Sequence, residues 1–292
     1  MKEQVFSAFG KINWSLDITG IRADGYHLLD MLMQPVSLCD QLIIRESEEL
    51  SVEVIGAPAL ETEDNLVFRA ARKLLELSSG KHGAHLTLIK NIPSEAGLGG
   101  GSADAACALR TLRDWWELPL NDQALSDIGL SLGADIPFCL KNGAARVRGV
   151  GERVTPVNLG GAAPLVIIKP ERGLSTPLVY RAFDEGEKAP PSRIPEAIAA
   201  LQKGDYRALR ELLHNALYPP AKGLLPELQE LLSLLYKKGA LFAAMTGSGS
   251  ALFGVFGDEK SADYAAQKIR EERNGLFTAR ANTCQEASTP LI

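Results

Sequence analysis

The residues from Glu95 to Ala106 read EAGLGGGSADAA, and four of the five positions from Gly97 to Gly101 are glycine. Glycine loses the most conformational freedom on folding and packs nothing in return. Such a run has a physical use where it joins a strand to a helix. Backbone N–H groups can converge there without Cβ atoms in the way. The helix adds its unpaired first-turn N–H groups and the positive end of its dipole, and the result is a cradle for phosphate oxygens. The flanks suit this reading. AHLTLIKNIP, from Ala84 to Pro93, is patterned as a strand stopped by proline; SADAACALRTLRDWWEL, from Ser102, is patterned as a helix with one apolar side. Two common cradles fail on detail. No lysine stands between Gly101 and Ser102, as a Walker loop requires, and Ser102 occupies the place of the last glycine of a dinucleotide fingerprint.

A bound phosphate becomes chemistry only with a charge to offset the transferring group and a base near the nucleophile. Lys11 and Asp135 are the candidates. Lys11 opens KINWSLDI, whose alternation puts Lys11, Asn13, Ser15 and Asp17 on one face and Ile12, Trp14, Leu16 and Ile18 on the other. That is the pattern of a half-buried strand. Asp135 follows LSDIGLSLG, a helix ending at Gly133, in a loop pinned by Pro137. On pattern alone, Lys11 reads equally as a solvated charge and Asp135 as a turn or cap.

The elements that must position these groups follow from the rest of the chain. Asp24-Gly25 marks a turn, and QLIIRE and LSVEVIG read as two short strands. Asn65 caps a helix over LVFRAARKLLEL. FCLKNGAARVRGVGE reads as further short strands, and TPVNLGGAAP as a link between halves. Beyond it lie the strand LVIIKP, helices over PEAIAALQ, DYRALRELL and LPELQELLSLLYKKG, and a strand, small-residue turn and strand in LFAAMTGSGSALFGVF. A helix over ADYAAQKIREE and a strand over GLFTARAN close the pattern. The fold class is α+β in two halves, 1–157 and 158–292.

Composition bounds the partners. The chain has 292 residues, 46% hydrophobic and 23% charged, with a net charge of -5 and no basic cluster, which argues against nucleic acid. The longest apolar run is too short to span a bilayer and the N-terminus lacks a signal-peptide core, so a soluble cytoplasmic protein without membrane partners is expected. Cys39, Cys107, Cys139 and Cys284 lie far apart and read as reduced thiols; His82 and His85 have no cysteine at ligand spacing.

Pro93 to Ser102, P-x-x-x-G-L-G-G-G-S, resembles the phosphate loop of the galactokinase, homoserine kinase, mevalonate kinase and phosphomevalonate kinase (GHMP) superfamily. KINWSLDITGIRADGYHLL (11–29), LGADIPF (132–138), RGVGE (148–152) and MTGSGSALF (245–253) extend the resemblance, in order and spacing, to the family of 4-diphosphocytidyl-2-C-methyl-D-erythritol kinases. It implies an N-terminal ATP-binding domain of the type of ribosomal protein S5 domain 2, a ferredoxin-like C-terminal domain and a cleft site between them. The activity it implies is transfer of the ATP γ-phosphate, with Mg²⁺, to the 2-hydroxyl of 4-diphosphocytidyl-2-C-methyl-D-erythritol, in a monomer or homodimer. The alternatives are another superfamily kinase, of homoserine or mevalonate type, and a nucleotide-binding sensor without turnover.

Residue by residue, the resemblance makes Asp135 the proton acceptor and Lys11 its charge partner. Pro93, Gly97, Leu98, Gly99, Gly100, Gly101, Ser102 and Ala103 form the phosphate loop, with Ser102 the candidate Mg²⁺ ligand. Relatives often carry a second serine at 103, so a hydroxyl there is missing. A branched side chain at Gly100 is expected to fill the phosphate space. Asn65, Leu66 and Lys90 match positions bordering adenine. Tyr26, His27 and Tyr180, the last often phenylalanine in relatives, match cytidine contacts, with an aromatic sandwich for the base. Asn13 and Thr176 match polar contacts to substrate. Thr246, Gly247, Ser248 and Gly249, a tight hairpin on pattern alone, match a segment offering N–H donors near the substrate phosphates. Trp14 stands where relatives carry a smaller aliphatic residue, on the face away from Lys11, and implies a packing change alone.

Overall fold

A computed structural model describes residues 3–78, 82–186 and 190–286. Its first sheet is built on two long antiparallel strands, β1 (Glu3–Ile21) and β2 (His27–Arg45). β2 has β1 along one edge. Its other edge is shared: its end pairs with β4 (Ala84–Ile89), which lies parallel to β3 (Leu50–Ile55), and its start pairs with β5 (Ala145–Gly149), which leads to β6 (Arg153–Pro156). The second sheet is antiparallel, in the order β10-β7-β9-β8: β7 (Pro164–Lys169), β8 (Phe242–Met245), β9 (Leu252–Val255) and β10 (Phe277–Asn282).

The helices are α1 (Leu66–Leu77), α2 (Gly100–Trp115), α3 (Asp122–Leu132), α4 (Ile136–Lys141), α5 (Thr176–Asp184), α6 (Ile194–Gln202), α7 (Leu209–Leu212), α8 (Tyr218–Leu224), α9 (Glu227–Lys237) and α10 (Glu259–Glu272). Helix α2 carries a face of small residues, Ala103, Ala105, Ala106 and Ala108, all buried against β1, α1 and α4. That smallness lets its backbone come close to the sheet. The mixture of helices with two sheets is the α+β class expected.

Three expectations are corrected. KINWSLDI is buried on both faces: Lys11, Asn13, Ser15 and Asp17 are between 0 and 4% exposed. Its polar face is covered because the glycine loop and the β8–β9 turn lie on it. QLIIRE is the tail of the 19-residue β2 rather than a separate short strand. FCLK belongs to α4, because Pro137 sits in the first turn, where its missing N–H costs nothing; the strand begins only at Ala145.

The two sheets share an apolar core. Ile12, Trp14, Leu32 and Val36 meet Leu165, Ile167, Phe253 and Val255. Trp14 is 1% exposed, lies edge-on to Phe253 with ring centroids 5.7 Å apart, and donates Nε1–H to Gln34 Oε1 at 2.8 Å. Its large ring fills the junction between sheets, directly behind the strand that carries Lys11.

Candidate active site

A cavity of about 920 Å³ opens between the β1–β2 hairpin, the glycine loop, α5 and the β8–β9 turn. Lys11 stands at its floor, 3% exposed, and its backbone N–H donates to Leu98 O at 2.9 Å. Its ammonium donates to Asn13 Oδ1 (2.6 Å) and Gly97 O (2.8 Å), and lies 3.5 Å from Asp135 Oδ2. Asp135 precedes α4, with its side chain 31% exposed to the cavity. The motif RGVGE explains its place. Gly151 packs so closely under Ala134 that a Cβ there would lie 2.3 Å from Ala134 O, so the β5–β6 turn braces the loop bearing Asp135.

The glycine loop takes the form the sequence suggests. Leu98 is 1% exposed and anchors it in the core. Gly97 and Gly99 have φ of +70° and +69°, which only glycine adopts freely. Approach matters as much as conformation: a Cβ on Gly97 would lie 2.1 Å from Thr246 O, and one on Gly99 3.0 Å from the Lys11 stem. Helix α2 starts at Gly100, two residues earlier than its pattern suggested, and no side chain caps it. Its first N–H groups have no intrahelical partner, and Gly99 and Ser102 at this end of the helix line the cavity. Gly100 is corrected. A Cβ there would meet Ile92 at 3.0 Å and Lys90 Nζ at 3.4 Å, so its missing side chain makes room for the protein beneath, not for phosphate. Ala103 is 3% exposed and closes the first helical turn by donating to Gly99 O. Pro93 is half-buried at the loop's start.

Asn65 caps α1: its Oδ1 accepts from Val67 N at 2.8 Å, and its Nδ2 donates to Leu60 O. Leu66 reaches α2, 3.5 Å from where a Gly101 Cβ would stand. Lys90 sits under the loop with its ammonium ion-paired to Asp40 and Asp104, so only its stem and backbone can border a nucleotide.

At the far end of the cavity, His27 and Tyr180 rest on each other with ring centroids 4.7 Å apart, and His27 Nε2 lies 2.7 Å from Asp184 Oδ1. The two rings are in contact with each other, and their outer faces are left for a third ring. Burial pushes the Tyr180 phenol up. Tyr26 is 66% exposed beside them. The Thr176 and Ser248 hydroxyls are 2.7 Å apart.

The turn from Thr246 to Gly249 reaches across to the loop. Thr246 Oγ1 donates to Gly97 O and accepts from Asn13 N. Gly247 N donates to Asn13 Oδ1 and Gly249 N to Thr246 O, so these two amides are not free for an anion, contrary to expectation. Asn13 is likewise 1% exposed, and its oxygen already accepts from Lys11 and Gly247.

Two residues escaped the sequence reading. Asn215, buried, donates Nδ2–H bonds to both Met245 O (2.9 Å) and Gly247 O (2.8 Å), holding the turn from behind. Asp184 orients His27. Neither carries a local signal, since each acts on a residue distant in sequence.

The family profile "GHMP kinases N terminal domain" matches residues 65–143, and "GHMP kinases C terminal" matches 197–274. The 4-diphosphocytidyl-2-C-methyl-D-erythritol kinase of Pelotomaculum thermopropionicum is 39% identical, with 94% of this chain and 96% of that one covered. That of Citrifermentans bemidjiense is 38% identical over 97% of this chain and 100% of its own length. The chain belongs to the 4-diphosphocytidyl-2-C-methyl-D-erythritol kinase family. A crystal structure of a 4-(cytidine 5'-diphospho)-2C-methyl-D-erythritol kinase superposes with a TM-score of 0.83 at 33% identity, covering 97% of this chain and 99% of that one. Homoserine kinase from Cytophaga hutchinsonii shares the fold at a TM-score of 0.70 and 17% identity, covering 98% of this chain and 96% of that one. Kinase chemistry is thus the family's, and no described helix is long and apolar enough to cross a membrane.

Proposed function

We propose that this kinase transfers the γ-phosphate of ATP to the 2-hydroxyl of 4-diphosphocytidyl-2-C-methyl-D-erythritol in the cytoplasm. The observation that carries the reading is the Lys11–Asp135 pair, 3.5 Å apart in one cavity with the uncapped start of α2. Asp135, the more exposed partner, accepts or orients the proton of the attacking hydroxyl. Lys11 is fixed by Asn13 and Gly97 O, so its charge stays near the path of the transferring group at no cost in reorganisation. The amides from Gly99 to Ser102 hold the α- and β-phosphates, and Leu66 and Asn65 border the adenine. Tyr26, His27 and Tyr180 receive the cytosine on their outer faces, and Thr176 with Ser248 offers hydroxyls to the polyol diphosphate. The cleft lies where the two halves, 1–157 and 158–292, face each other.

Among the described residues no group of three or more His, Cys, Asp or Glu could hold a metal. An ion carried by nucleotide phosphates needs only one or two protein oxygens. Ser102, whose hydroxyl faces Gly133 across the cavity mouth, is the residue that would take it. Mg²⁺ bound there would neutralise charge on the phosphate oxygens.

A coupled assay of ADP release tests the reading, with the cytidine-diphosphate polyol, homoserine and mevalonate compared as acceptors. Turnover confined to the cytidine substrate is expected. Turnover of homoserine or mevalonate at equal efficiency, or ATP binding with no turnover at all, would overturn it.

A further inference from the structure

Beneath the glycine loop lies a buried ionic cluster that the reaction as described does not use. Asp40, on β2, is 0% exposed, and Asp104, on α2, 2%. Lys90 lies between them: its ammonium pairs with Asp40 Oδ2 and with Asp104 Oδ2, the latter at 2.6 Å. Asp40 Oδ1 accepts the backbone N–H groups of Asn91 and Ile92 at 2.5 and 2.7 Å. Ile92 and the Lys90 ammonium together form the surface on which Gly100 rests. The cluster therefore joins the strand end before the loop to the first turns of the helix after it.

We propose that Asp40, Lys90 and Asp104 are positioning residues for the nucleotide: through them the loop and the α2 N-terminus are held at the height where their N–H groups meet the phosphates. The inference rests on the nucleotide reading given above. The cluster also has an odd charge. Two carboxylates against one ammonium leave a net negative charge in a buried place, which is costly there. Asp40 accepts from three donors. Asp104 accepts from Lys90 alone, and its buried Oδ1 has no partner. Asp40 is thus the firmer anchor, tied both to the ammonium and to the chain before the loop, and Asp104 brings α2 onto it through Lys90.

The test is steady-state kinetics at about pH 7, with ATP varied at saturating Mg²⁺ and polyol substrate. Asp40→Asn should raise the ATP KM about tenfold while kcat falls less than about twofold, since Lys11 and Asp135 are untouched. Asp104→Asn, which keeps an oxygen for Lys90, should raise the ATP KM by about threefold with kcat likewise kept. An Asp40→Asn that lowers kcat and leaves the ATP KM alone would overturn the clamp. If Asp40→Asn does not fold, Asp104→Asn decides alone, and an ATP KM equal to wild type there overturns the clamp. A wild-type enzyme with no saturable dependence on ATP would instead remove the nucleotide reading itself.

Discussion

The two glycine-rich turns that meet in the cleft have nearly the same composition and opposite uses. Gly97–Gly101 opens into a helix, and the first N–H groups of that helix have no side-chain cap. Thr246–Gly249 joins two antiparallel strands, and its Gly247 and Gly249 amides are already bonded within the protein. The first turn is a set of available donors. The second is a latch that fixes Asn13, and through it Lys11. What separates them is the following element: a helix start leaves N–H groups unpaired by geometry, whereas a hairpin closes on itself.

The largest test of this contrast removes the carboxylate partner of Lys11, the residue on which both turns converge. Asp135→Ala should lower kcat by about 10²–10⁴-fold with ATP affinity nearly intact, in the range for loss of a positioned base. Equal loss of nucleotide binding, measured by calorimetry, would make Asp135 a support of the loop instead. Next comes the residue where the turns touch. Gly97→Ala places a methyl 2.1 Å from Thr246 O in a left-handed conformation, so both turns must move. A stability loss of about 1–3 kcal/mol in chemical denaturation and loss of most turnover are expected. A variant as stable as wild type would show that the turns are not in contact in solution.

Much of this arrangement was legible in advance, and the exceptions share a cause. Strand, loop and helix around residues 84–118 followed from periodicity and proline, and Lys11 and Asp135 followed from resemblance. The burial of Lys11 did not follow, because alternation shows which residues share a face but not that another part of the chain covers it. The same blindness hid Asn215, whose two acceptors lie 30 and 32 positions away. It also misdirected Gly100: a glycine in a phosphate loop reads as room for ligand, yet this one makes room for Ile92. Helix α4 was missed for a different reason. Six residues are too few to show a period, and Pro137 was read as a loop signal when it marks a helix start.

Asn215 sharpens the contrast from the side of the latch. Asn215→Ala leaves the Met245 and Gly247 carbonyls without their buried donor. The expected cost is about 1–3 kcal/mol. It should appear as a several-fold rise in KM for the acceptor and a fall in kcat, with the ATP KM little changed. A rise confined to the ATP KM would show that the second turn serves the nucleotide, and the division between cradle and latch would fail.

The smallest effect is expected at Gly101. Among the glycines of the loop it alone lacks both a positive φ and a close neighbour: a Cβ would stand in ordinary contact with Leu66, 3.5 Å away. It lies inside the first turn of α2, where alanine forms helix better than glycine by about 0.5–1 kcal/mol. Gly101→Ala should therefore unfold at the same or a slightly higher temperature than wild type, while Gly100→Ala, pressed against Ile92, melts lower. The ATP KM of Gly101→Ala should shift by no more than a few-fold, since the donors are backbone N–H groups and survive the change. A marked loss of stability would mean that Leu66 packs on this helix more tightly than 3.5 Å allows, and that the cradle depends on side-chain fit as much as on its amides.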